Sequence, residues 1–110
     1  MNVYLQVTTT AGTKDDACQI ARALVEQRLA GCVQIVGPIT STYWWKGEIV
    51  EDEEYLCVIK TRQNLFTTVE AAIKAVHPYA VPEILATEVT AGSQNYLDWL
   101  GGALVGSRRD

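Results

Sequence analysis

Cys32-Val33-Gln34-Ile35-Val36-Gly37-Pro38-Ile39-Thr40-Ser41-Thr42-Tyr43-Trp44-Trp45-Lys46-Gly47-Glu48 opens a run that continues to Thr61, and the fold turns on how this run is read. Residues 32 to 45 and 48 to 61 are rich in β-branched and aromatic side chains, so they read as two strands. Lys46-Gly47 supplies a two-residue turn between them, a weaker hairpin signal than Asn-Gly. Tyr55-Leu56-Cys57-Val58-Ile59 is unbroken in apolarity, which predicts burial on both faces of the second arm. Each arm spans on the order of 45 Å if fully extended, at roughly 3.3 Å per residue. A domain of this length has a radius of gyration of about 13 Å, so the hairpin must bend or project. Gly37-Pro38 offers a bulge at which it can bend. Tyr43, Trp44 and Trp45 bring three aromatics to its tip, too costly to leave wet together. Such a tip either folds back on its own subunit or packs against another; the second arrangement is expected, with these three residues at the interface.

Outward from the hairpin, both flanks carry a strand and a helix. Val3, Leu5 and Val7 alternate with Tyr4 and Gln6 before Thr8-Thr9-Thr10, which suggests a first strand with one buried face. Thr13 with Asp16 three residues on is an acidic variant of a capping box, and Ala17, Ile20, Ala21, Leu24 and Arg28 follow at helical spacing. Gly31 is expected to end this helix. After the hairpin, Asn64 reads as the N-cap of a second helix with Leu65, Val69, Ala72, Ile73 and Val76 on its buried face. Residues 83 to 89 read as a fourth strand. Ser93 caps a short last helix, and 107 to 110 read as a frayed tail. The order β-α-β-β-α-β plus a C-terminal helix predicts an α+β, ferredoxin-like single domain over 1–106. Right-handed crossovers put both long helices on one face of an antiparallel sheet, and the other face needs cover from the last helix or from a partner subunit.

The second helix stops at His77-Pro78-Tyr79-Ala80-Val81-Pro82-Glu83, which holds the chain's single histidine and two of its three prolines. Pro78 ends the helix and Pro82 biases Val81 toward extended backbone, so His77, Tyr79 and Glu83 sit on a stiff connector. One reading is a helix stop with His77 as a capping side chain; the other is a ligand site.

At 110 residues with 48% hydrophobic side chains and a net charge of −4, the chain has the makings of one ordinary globular domain. It lacks a cationic surface for nucleic acid or anionic membranes; Arg108-Arg109 is its only basic cluster. No run approaches ~18 apolar residues and the start is not signal-like, so a cytoplasmic protein is expected. Cys18, Cys32 and Cys57 form no CxxC and are expected as buried, reduced thiols. No glycine-rich phosphate loop, glycine-framed serine or activated cysteine is present, so no enzyme and no required cofactor are expected.

Ser41-Thr42-Tyr43-Trp44-Trp45-Lys46-Gly47-Glu48-Ile49, then Ile59-Lys60-Thr61, His77-Pro78-Tyr79, Val81-Pro82-Glu83-Ile84 and Tyr96-Leu97-Asp98-Trp99-Leu100 together resemble the divalent-cation tolerance protein family CutA, over almost the whole chain and in order. The resemblance implies a ferredoxin-like subunit assembled into a homotrimer by intersubunit sheet pairing, similar in architecture to the PII signalling proteins, with clefts between subunits. In copper-binding relatives, the resemblance implies, the ligands are a Cys at the end of the first strand, a His before the His-Pro-Tyr triplet and the Glu of Pro-Glu. Here those positions fall on Thr9, Val76 and Glu83. Threonine and valine do not replace a thiolate or an imidazole on copper, so His77 with Glu83 offers at most a weak site for Cu(II) or another divalent ion.

Three readings of function follow. In the first, a trimeric carrier or sensor binds a small anionic or zwitterionic molecule in its clefts: Lys60 supplies charge, Trp45 and Tyr79 apolar walls, and His77 and Glu83 orientation. In the second, the protein binds and buffers copper or other divalent ions. In the third, the same residues only pack a stable trimer, and Lys60 pairs with Glu83.

Overall fold

The structure, a computed structural model, describes residues 2–106; the expected tail at 107–110 lies outside them. Four strands and three helices follow in the expected order: β1 (Tyr4–Ala11), α1 (Lys14–Glu26), β2 (Cys32–Trp45), β3 (Glu48–Arg62), α2 (Phe66–Val76), β4 (Leu85–Glu88) and α3 (Gln94–Ala103). The sheet is antiparallel with order β2-β3-β1-β4, as the split βαβ arrangement requires. Among the described residues no helix is long and apolar enough to cross a membrane.

One face of the sheet carries the core. Leu5, Val7 and Ala11 of β1 and Cys57 and Ile59 of β3 are buried with Ala17, Ile20 and Leu24 of α1 and Val69 and Ile73 of α2. The period of two along the strands and of three to four along the helices is what brings these residues together. Burial on both faces of β3 is not met within the chain: Leu56, Val58 and Lys60 are half-buried while Cys57, Ile59 and Thr61 are covered. On that opposite face α3 covers only one end, where Leu100 stands against Gly31 so closely that a Cβ there would come within 2.6 Å of it.

The hairpin does project: the molecule measures 48 × 26 × 22 Å. Trp45 pairs with Glu48 across Lys46-Gly47, and both turn residues have positive φ, 51° and 80°, the geometry of a type I′ turn. The register shifts between Val36 and Ile39, so Gly37-Pro38 is the bulge that was expected. A Cβ on Gly37 would lie 2.6 Å from the Tyr55 ring, and this close approach requires glycine.

Helix ends depart from expectation for local reasons. Thr13 does cap α1, accepting from the Asp16 N–H at 3.1 Å, but the helix ends at Glu26 and Arg28 takes the left-handed conformation at φ 57°, so Gly31 serves α3 packing instead. Asn64 does not cap α2. It lies in a 3-10 turn over Gln63–Leu65 and accepts from Arg62 Nε. Ser93 stands at the N-cap of α3 without a side-chain bond. Strand β4 is shorter than expected because its partners are only Leu5 to Thr8. Of the three cysteines, all free, Cys57 is buried, Cys32 half-buried and Cys18 exposed, which corrects the expectation of three buried thiols.

Candidate functional site

The alternation of β3 places Asp52 and Glu54 on one face, and β2 places Ser41, opposite Asp52, on that same face. Tyr43 and Trp45, at alternate positions from Ser41, follow it. Together with Thr10 at the end of β1 and the loop Tyr79 to Glu83, they line a cavity of about 620 Å³. Two tyrosine–carboxylate pairs organise it. Tyr43 donates its hydroxyl proton to Asp52 Oδ2. Tyr79 donates to Glu54 Oε2 at 2.9 Å. Both phenols are held above their ordinary pKa: Tyr79 by burial first and then by Glu54, Tyr43 first by its bond to Asp52. A negative field spans this region.

His77 explains how the loop is fixed. Pro78 forces it out of the helix to extended backbone (φ −76°, ψ 131°), and its N–H closes α2 on the Ile73 carbonyl at 2.9 Å. The ring is buried. Its Nε2 donates to the Thr10 carbonyl at 2.8 Å, and its Nδ1 accepts the Tyr79 N–H at 3.1 Å, which assigns the hydrogen to Nε2. The imidazole thus staples the loop to the end of β1 and supports the Tyr79 ring at 4.7 Å between centroids. Gly12 completes the seat, since a Cβ there would stand 3.1 Å from the Tyr79 hydroxyl.

Of the five residues expected to bind ligand, Trp45, Tyr79 and Glu83 line this cavity. His77 lies beneath Tyr79 with both nitrogens engaged, so it does not face a ligand or offer a free lone pair to a metal. Lys60 does not join them. It shares the Glu54 face of β3 but sits six residues along it, roughly 20 Å at ~3.3 Å per residue. There Lys60 borders a separate cavity of about 140 Å³ beside α3 and donates to Gln34 Oε1 at 2.7 Å. It therefore pairs with neither an anion in the larger cavity nor Glu83. Among the described residues no lysine, arginine or histidine lines this cavity as a charge partner for an anion.

The residues that sequence reasoning missed are Asp52 and Glu54. They sit in the run Glu51-Asp52-Glu53-Glu54, which reads as a solvated stretch. The available signal was strand parity, because alternate members of that run share the face of Leu56. Among the described residues no three His, Cys, Asp or Glu side chains stand close enough to hold one metal ion. Thr9 is buried with an unpartnered Oγ1 and Val76 is exposed.

Residues 5–103 match the family described as CutA1 divalent ion tolerance protein. The divalent-cation tolerance protein CutA of Thermus thermophilus is 49% identical over 86% of this chain and 91% of its own length, and its solved structure superposes with a TM-score of 0.89 at 46% identity, covering 92% of this chain and 98% of that one. CutA1 from Oryza sativa superposes at a TM-score of 0.92 with 36% identity over 96% of both chains. A structure called the periplasmic divalent cation tolerance protein CutA, from Archaeoglobus fulgidus, gives 0.87 at 36% identity, covering 94% and 98%. The chain spans about half the length of the mouse and rice relatives that it matches in sequence, 48% and 53%.

Proposed function

The chain belongs to the CutA1 divalent ion tolerance protein family, and from that premise we propose that it works without catalysis, as a trimer of PII-like architecture that takes a small molecule in clefts between its subunits. The observation that carries this reading is the cavity of about 620 Å³ whose wall is the projecting hairpin. It combines aromatic surface with a few fixed polar groups, the mixture expected of a small-molecule pocket. The hairpin also leaves Trp44 71% and Ile49 64% exposed, directly opposite each other across the strands. An apolar pair of that size on a projecting tip fits burial against a second copy, seated on the face of the hairpin opposite Trp45 and Asp52. Location in the cytoplasm is part of the same proposal.

A metal-buffering role draws support from the family description and from the carboxylates near Glu83. Against it stand Thr9 and Val76 at two ligand positions and the engaged nitrogens of His77. A trimer without a ligand is the remaining alternative.

Thermal unfolding in a panel of small anions, zwitterions, amines, Cu(II) and Zn(II) separates the readings. One organic class raising the midpoint of the parent protein, but not of Trp45→Ala, supports the proposal. Stabilisation by the metals alone supports the second reading, and stabilisation by nothing in the panel supports the third.

A further inference from the structure

Glu54 is 6% exposed and Thr10 8%, and both line the cavity. Glu54 has one carboxylate oxygen bonded to Tyr79; among the described residues no cation pairs with it, the two ion pairs being Arg22–Glu26 and Glu70–Lys74. A buried carboxylate with one neutral donor is under-compensated. The Thr10 hydroxyl, on the same face of the sheet, has no hydrogen-bond partner among the described residues. Asp52, two residues before Glu54 on that face, is exposed, and Tyr43 takes one of its oxygens and leaves the other open. Glu83 adds a third acid to the cavity lining, and among the described residues no lysine or arginine lines it.

Spacing decides what cation this is. Successive same-face positions on a strand lie roughly 7 Å apart at ~3.3 Å per residue, and the acids do not converge on one point. Two separate positive charges on one flexible chain match that layout better than a single metal ion. The walls agree, since Trp45 and Tyr79 supply aromatic surface along which a methylene chain can lie. Resting on the cleft reading above, we propose that the cavity binds an aliphatic diamine, one ammonium at Glu54 with the Thr10 hydroxyl and the other at Asp52, its methylene chain lying along Trp45 and Tyr79.

Calorimetry on the 110-residue chain at low ionic strength, with 1,4-diaminobutane and separately with glutarate, tests this. The expected result is diamine binding that weakens roughly tenfold or more in Glu54→Gln, as loss of a hydrogen bond to a charged partner implies, and also weakens in Asp52→Asn, while Glu26→Gln on the exposed face of α1 leaves it unchanged. Equal weakening in Glu26→Gln would mean attraction to net charge alone and would overturn the proposal. Binding of glutarate but not of the diamine, lost in Trp45→Ala, would overturn the cation assignment and leave the cleft reading standing. Binding of neither probe would overturn the diamine assignment, and failure of the whole panel above would remove the cleft reading with it. Should Glu54→Gln fail to fold, Asp52→Asn carries the same test.

Discussion

The Tyr79 hydroxyl meets Glu54 Oε2 at 2.9 Å, joining the loop after α2 to a carboxylate that β3 has taken out of water. The bond spans 25 residues of sequence and locks the loop, the hairpin arm and the end of β1 into one cavity wall. Without it Glu54 would be buried with no donor, which costs more than the bond itself contributes.

Tyr79→Phe is therefore expected to lower stability by about 1 to 2 kcal/mol at neutral pH, read from urea unfolding. Its pH dependence has a definite sign. The folded-state pKa of Tyr79 lies above the unfolded value of 10.0, chiefly through burial and then through Glu54. The stabilisation is therefore complete below about pH 10 and is lost as pH rises through the folded value. The gap between the parent protein and Tyr79→Phe should be flat from pH 7 to 9 and narrow above 10; a gap that widens there would contradict the assignment.

His77→Ala should cost about 1 to 3 kcal/mol, because it strands the Thr10 carbonyl and the Tyr79 N–H. Cu(II) affinity, measured by calorimetry, should not change, since the ring offers no free nitrogen. A clear loss of Cu(II) binding in the variant would show the imidazole leaving its staple to act as a ligand.

Cys57 gives a separate check on the core. Burial, with Cys18 nearby, pushes its thiol from 9.0 up to about 11. A thiol reagent at pH 8 should modify exposed Cys18 quickly and Cys57 only after unfolding. The contribution of Cys57 to stability is present below pH 9 and should be lost between about pH 9 and 11.

Parts of this architecture were legible in the sequence because one local signal fixed each of them. Gly37-Pro38 marked the bulge, Lys46-Gly47 the turn, and Pro78 the stop of α2. Asn64 and Gly31 misled because capping chemistry is local, while Arg62 and Leu100, which claim those residues, arrive through tertiary packing. At the site, Trp45, Tyr79 and Glu83 were recognisable by type. Lys60 was on the correct face but too far along the strand, a matter of length that residue type does not convey. Glu54 lay hidden in an acidic run, where only its parity with Leu56 distinguishes it from Glu53.

Sedimentation equilibrium at micromolar concentration shows whether the projecting hairpin packs against another copy of the chain. A species of three times the 12.1 kDa chain mass is expected, dissociating in Trp44→Ser and Ile49→Ser, whose exposed side chains stand opposite each other at the tip. A species of 12.1 kDa in the parent protein, or a trimer indifferent to both substitutions, would contradict it.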